Sequence, residues 1–332
     1  MSTVPRVLRD PVYAKRVLEV LEGVRATCDV VSRRAKDPVS FVHLQTSRDD
    51  RELVGLLASC LAFGNVVTIC QKVAEALDRL GPSPARASES LPNLLDRFSG
   101  FVHRLFRGED VARLLHGARR CQLADGSLEA TFRKGAGPID ATSDPARTWE
   151  ALAFLVEAIR REGGLDRPTT RRGPRHLLPD VRKGGGAKRL FLFLRWMVRP
   201  ADGVDLGVWS LPPRLLFCPV DTHILKLGRN LGLTVRSDAG ARTVREITAS
   251  LASFDTNDPI KFDFSLCHLG MATRCHEEHV PAVCNGCPAR TACRHIPDRA
   301  RPQNAQALAS VDLPLSRTKS PSKPRLRRGK RD

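Results

Sequence analysis

Apolar side chains recur with a helical period over most of the chain. Val17, Leu18, Leu21 and Val24 give a first helical face within residues 12–35. Ser47 and Asp50 make a capping-box pair. Leu53, Leu56, Leu57, Cys60 and Leu61 follow at i, i+3, i+4, i+7 and i+8, the stripe of an amphipathic helix. The turn Phe63-Gly64-Asn65 leads into a helix at about 66–80 that Gly81-Pro82 stops. Further helices are expected at about 109–123, 146–161 and 188–198. Val244, Ile247, Leu251 and Phe254 share one face. Asp258-Pro259 reads as the N-cap and first residue of a helix carrying Ile260, Phe264, Cys267 and Met271. Alternating strand patterns and Asn-Gly hairpin signals are nearly absent. The pattern predicts an all-α protein of ten to twelve helices.

Three stretches do not fit that period. Residues 163–186 are rich in Gly, Arg and Pro, and residues 199–220 hold Pro200, Gly203, Gly207, Pro212, Pro213 and Pro219. Residues 298–332 are polar, basic and expected to be disordered. No run of about 18 apolar residues is present, so no membrane partner is expected. The first twenty residues are charged throughout and lack the apolar core of a signal peptide. A cytoplasmic, nucleoid-associated protein is therefore expected.

Charge changes the picture. The chain of 332 residues has 54 Lys and Arg against 36 acids, a net charge of +18. Arginine supplies 43 of those bases. Residues 299–332 carry +8 of the charge, which leaves +10 on the rest. Guanidinium forks suit phosphate oxygens, so a polyanionic partner is expected. A GC-rich genome writing Arg for Lys would raise the same count without any such partner.

The cysteines add candidate chemistry. Cys28, Cys60, Cys70, Cys121, Cys218 and Cys267 stand singly and read as small buried hydrophobes. Cys275, Cys284, Cys287 and Cys293 are separated by eight, two and five residues. Four thiolates so spaced suit a 4Fe–4S cluster, with tetrahedral zinc as the alternative. His276, His279 and His295 lie nearby as solvent-facing or supporting groups.

Two further segments stand out. In Pro219-Val220-Asp221-Thr222-His223-Ile224, Asp221 sits where a helix N-cap belongs. Capping alone explains such an aspartate. A carboxylate held ionised there can also stabilise a developing sugar cation or deprotonate a nucleophile. Leu177-Leu178-Pro179-Asp180-Val181-Arg182-Lys183 then runs through Gly184-Gly185-Gly186 into the helix that opens at Lys188 and Arg189. Such a glycine run is either a flexible loop or a place where backbone N–H groups approach a phosphate.

The order of these three segments resembles the helix-hairpin-helix DNA glycosylase superfamily, in its iron–sulfur members such as endonuclease III. Organisation is similar over about residues 40–297, and motifs match at about 177–198 and 219–293. Val220-Asp221-Thr222-His223-Ile224 matches letter for letter, and the two- and five-residue cysteine gaps agree. Leu61-Ala62-Phe63-Gly64 and His176-Leu177-Leu178-Pro179 look like a poorly characterised bacterial and archaeal branch. The sequence departs from the family where the usual hairpin Leu-Pro-Gly-Val-Gly is replaced by Leu178-Pro179-Asp180-Val181 and the longer run to Gly186.

The resemblance implies two helical subdomains with a cleft between them: residues 1–48 plus 219–297 carry the cluster, and 49–218 carry the hairpin. It implies a monomer that binds damaged double-stranded DNA. It implies that Asp221 is the catalytic aspartate and Lys188 the lysine that attacks the sugar in lyase members. Lys183, Gly184, Gly185, Gly186, Arg189, Arg274 and Arg290 become DNA contacts, and Cys275, Cys284, Cys287 and Cys293 become cluster ligands. The expected activity is excision of a damaged base at the sugar C1′, with abasic-site lyase activity if Lys188 is the nucleophile. The alternative is a non-catalytic DNA-binding protein of the same fold with a structural metal cluster. Trp209, Phe63 and His103 are candidates for base stacking, with core packing as the competing role. Arg167, Arg171, Arg172 and Arg175 are phosphate candidates.

Overall fold

A computed structural model describes residues 3–140, 142–275 and 278–296; the basic tail 298–332 and His276 lie outside the described residues. Sixteen α-helices occur among them, so the all-α expectation holds. Nine are long: Pro11–Ala26, Arg48–Leu61, Val66–Leu80, Gly108–Asp125, Ala146–Gly163, Lys188–Val198, Thr222–Asn230, Ala241–Ala252 and Asp263–Thr273. The number exceeds the ten to twelve expected because seven helices, such as Ser40–His43 and Gly173–Leu177, are too short to show a period. Val102–His103 and Phe106–Arg107 pair antiparallel, with Val102 opposite Arg107 and His103 opposite Phe106.

Polar side chains start several helices. The Tyr13 N–H donates to Asp10 at 2.9 Å, the Asp50 N–H donates to Ser47 Oγ at 3.1 Å, and the Val67 N–H donates to Asn65 at 2.9 Å. Each bond satisfies an N–H that has no partner inside its helix. The helix expected from Asp258-Pro259 instead begins at Asp263. Asp258 does not cap it; its carboxylate instead accepts three hydrogen bonds from Arg199, at 2.8, 3.0 and 3.1 Å.

The helices pack in two groups. Gly108–Asp125 lies against Ala146–Gly163, Leu91–Arg97 and Leu128–Lys134, while Lys188–Val198 lies on Arg48–Leu61. Pro11–Ala26 packs on Asp263–Thr273 and the 3₁₀ turn Pro288–Thr291, and Thr222–Asn230 packs on Asp263–Thr273. The Tyr13 hydroxyl donates to the Ala292 carbonyl at 2.7 Å, tying the first long helix to the cysteine loop. Side chains from both groups join one hydrophobic cluster. At Gly270 a Cβ would stand 2.8 Å from His223 Cβ, so the close approach of Thr222–Asn230 to Asp263–Thr273 requires glycine there.

A buried ion network fastens the Lys188–Val198 helix to the second group. Arg195, only 2% exposed, donates to Asp263 at 2.6 Å and to Asp205 at 3.2 Å. Arg199 meets the same Asp205 carboxylate and also Asp202 and Asp258. Buried charges are tolerated when paired in this way, at a desolvation cost that makes an unpaired survivor very unfavourable.

Candidate active site and cysteine loop

Asp221 opens the Thr222–Asn230 helix as its N-cap. One carboxylate oxygen, Oδ1, accepts the backbone N–H groups of His223 at 2.8 Å and Ile224 at 2.9 Å. The other, Oδ2, accepts the Cys267 thiol at 3.4 Å. The capping role therefore occupies one oxygen and leaves the second half-buried beside a thiol. Capping and chemistry do not compete for the same atom.

Lys188 is the first residue of the Lys188–Val198 helix, after Ala187 in the left-handed region at φ 47°. Its positive charge and the negative charge of Asp221 act on the same two side chains, Cys267 and Asp263. Burial pushes the Cys267 thiol well above its ordinary range. The Asp221 and Asp263 carboxylates push it further, and Lys188 opposes them. Asp37 joins this neighbourhood. Burial raises its carboxyl, while the Val39 N–H, Arg195 and Lys188 hold it down. His268 stands one residue after Cys267 with its ring 4.3 Å from Phe264. Burial, then Arg33 and Arg195, lower it to about 3, against a small opposing pull from Asp221, so its imidazole is neutral at physiological pH.

Sequence reasoning had placed Cys267 on an apolar helical stripe and had passed over Asp37, Arg195, Asp263 and His268. One signal was readable. Arg195 interrupts the apolar run Phe191 to Val198, and a lone charge in a buried face demands a partner elsewhere in the chain.

The segment 177–198 differs in detail from its expected use. Arg189 is spent internally: its guanidinium donates to the carbonyls of Cys60 and His176, and burial lowers its pKa from the ordinary guanidinium value. It ties the helix start to the end of Arg48–Leu61 rather than facing solvent. The Gly184 carbonyl accepts the Ala241 N–H at 3.0 Å, and a Cβ on Gly186 would lie 2.1 Å from the Ala239 carbonyl. Gly184 and Gly186 thus dock the loop on the start of Ala241–Ala252. Lys183, Gly184 and Gly185 are exposed. Arg171 is ion-paired to Asp110 at 2.8 Å, whereas Arg167, Arg172 and Arg175 are exposed.

Of the stacking candidates, Trp209 and His103 are core residues. The Trp209 indole donates to buried Glu52 at 2.8 Å, and the His103 ring bonds the Leu61 carbonyl at 3.0 Å. Phe63 is half-buried, 4.8 Å from the His176 ring and capped by Arg104 at 4.8 Å.

Cys275, Cys284, Cys287 and Cys293 line one cavity, with Asn230, Arg290 and His295 also on its wall. Two of the sulfurs accept N–H donors, Cys275 from Asn230 Nδ2 at 3.3 Å and Cys284 from the Val280 backbone at 3.4 Å. Burial pushes Cys287 up to about 12 and raises Cys275 and Cys293, and neighbouring thiols of the set add to each rise. Among the described residues, no group of three or more His, Cys, Asp or Glu side chains stands ready to hold a single metal ion. Arg274 ends Asp263–Thr273 in the left-handed region and is exposed; Arg290 is half-buried, its guanidinium 3.5 Å from the Asn285 carbonyl.

No helix among the described residues is long and apolar enough to cross a membrane. No curated protein and no solved structure matches the chain. The model of the family described as a protein of unknown function (DUF2400) matches residues 37–272. The match takes in Lys188, Asp221 and Cys267 and stops before the four-cysteine loop. Because the match spans well over half of the sequence, the chain belongs to the DUF2400 family.

Proposed function

We propose that this chain is a DNA glycosylase of the helix-hairpin-helix type, excising a damaged base from double-stranded DNA by chemistry at the sugar C1′. The observation that carries the reading is the division of labour on Asp221. Its Oδ1 is fixed by two backbone N–H groups, while Oδ2 faces the Cys267 thiol, and the charges of Asp221 and Lys188 both act on Cys267 and Asp263. A carboxylate so immobilised needs no reorganisation when positive charge develops on a sugar. The net charge of +18 supports a polyanionic partner.

The target nucleotide leaves the duplex, because a stacked base hides its glycosidic bond. As that bond breaks, the electron pair departs with the base and Asp221 stabilises the cationic sugar. The Lys188 amine then bonds to C1′ and loses a proton, giving an aminal; the C1′–O4′ bond breaks as O4′ takes up a proton, and the resulting Schiff base permits β-elimination of the 3′ phosphate. Where Lys188 is held off, a water deprotonated by Asp221 adds to C1′ instead. Exposed Lys183, with the backbone of Gly184 and Gly185, contacts phosphate near the hairpin; Arg274 and Arg290 do so near the cysteine loop. Phe63, packed between the His176 ring and the Arg104 guanidinium, is the candidate to fill the gap left by the flipped base.

The four cysteines suit a 4Fe–4S cluster, since all four line one cavity and the sulfurs of Cys275 and Cys284 receive N–H donors of the kind that stabilises bound thiolate. Such a group supplies folding energy to the last loop. Cys275, Cys284, Cys287 and Cys293 would hold it, and Asn230 would orient Cys275.

A damage panel tests the reading. Duplexes carrying oxidised, alkylated, deaminated or mismatched bases are incubated with the protein, and release of free base is measured. Release from at least one duplex supports the enzyme. Tight binding to every duplex with release from none favours the non-catalytic DNA-binding protein, to which the internal use of Arg189, Gly184 and Gly186 lends weight.

A further inference from the structure

Asp221 has two oxygens with different surroundings. Oδ1 is committed to its own helix through His223 and Ile224. Oδ2, the oxygen left for chemistry, has the Cys267 thiol at 3.4 Å. Cys267 belongs to the Asp263–Thr273 helix, four residues after Asp263. Asp263 is locked by Arg195 at 2.6 Å, and Arg195 lies on the helix that Lys188 begins. The thiol is thus held in register with both proposed reacting groups by a buried ion pair.

We infer that Cys267 is a positioning residue that fixes the free Oδ2 of Asp221 through an S–H donor; the inference rests on the glycosylase reading for its consequence in catalysis, though not for its geometry. The thiol stays protonated because burial and the Asp221 and Asp263 carboxylates outweigh the opposing charge of Lys188. Facing a carboxylate, a protonated thiol can only donate. An S–H is a weak donor, so it sets the direction of the carboxylate while leaving its charge available. A second thiol, Cys218, approaches Asp263 Oδ1 at 3.7 Å in the same layer, so the pattern of thiol against aspartate is repeated where the helix is anchored.

The test reads the bond first and the rate second, on the full chain. The S–H stretching band of Cys267 is isolated as the infrared difference between wild type and Cys267→Ser. The band is expected to shift toward that of a weakly bonded thiol when Asp221→Asn is introduced. No DNA or activity is needed for this reading. Single-turnover excision on saturated DNA follows. Cys267→Ala is expected to slow it about tenfold with DNA affinity unchanged, Cys267→Ser to retain most of the rate, and Cys267→Val, which fills the space without donating, to resemble Ala. A thiol band indifferent to Asp221→Asn overturns the inference, as does full rescue by Cys267→Val. If no duplex loses a base while the band shifts as expected, the glycosylase reading fails and the thiol–carboxylate bond stands.

Discussion

Arg195 and Asp263 meet at 2.6 Å with almost no exposure, the guanidinium from the Lys188–Val198 helix and the carboxylate from Asp263–Thr273. This pair joins the two groups of helices beside the proposed reacting residues. Arg195→Met strands Asp263 without its cation, and the expected loss of stability is about 3–5 kcal/mol by denaturant unfolding. Adding Asp263→Leu to that variant should restore part of the loss, since Asp205 keeps Arg199. If the double variant is no more stable than Arg195→Met, the pair is not what fails in the single variant.

The segment 177–198 holds both a structural arginine, Arg189, and the proposed phosphate contact Lys183. Arg189→Met should lower the melting temperature, because the Cys60 and His176 carbonyls lose their donor. It should leave the salt dependence of DNA binding unchanged. Lys183→Ala should do the reverse, with stability kept and the log–log salt slope reduced by about 0.9. Binding titrations across a salt series read both variants.

How much of this was legible in the sequence varies by element. The Val66–Leu80 helix was readable because Asn65 and Gly81 punctuate a strong stripe, and Asp221 was readable as a cap from its position before an apolar helix. The start at Asp263 was not, since Asp258-Pro259 has every local mark of a cap and only the distant Arg199 decides otherwise. Arg189 was misread for a related reason. Its phosphate-like setting beside three glycines is local, whereas its partners, the Cys60 and His176 carbonyls, come from 129 and 13 residues away. Cys267 was hidden by its chemistry, because a thiol on an apolar stripe looks like any small hydrophobe until its partner is seen.

The cysteine loop carries a metal prediction. Protein purified without air should be yellow-brown and hold about four irons per chain. Cys287→Ser should lose colour and soluble protein together, because metal binding there is folding energy. Colourless protein with one zinc per chain decides for the alternative.

His268 gives the pH prediction. Its imidazole is lowered from 6.5 to about 3, first by burial and then by Arg33 and Arg195. Above pH 6.5 neither the folded nor the unfolded chain holds the proton. As pH falls below 6.5 the unfolded chain takes it up, and the folded chain refuses it until about pH 3. Stability should therefore fall across that window more steeply in wild type than in His268→Gln. Parallel stability curves for the two proteins between pH 7 and pH 4 would contradict a buried neutral His268.

Asp221→Asn tests the central claim most directly, read as single-turnover base release on saturated DNA. Asparagine caps a helix as well as aspartate, so the fold and the bonds from His223 and Ile224 should survive. Removal of the charge should slow excision by at least about a hundredfold while DNA affinity holds or rises. Undiminished excision by a folded Asp221→Asn would show that Asp221 only caps its helix and that the chemistry lies elsewhere.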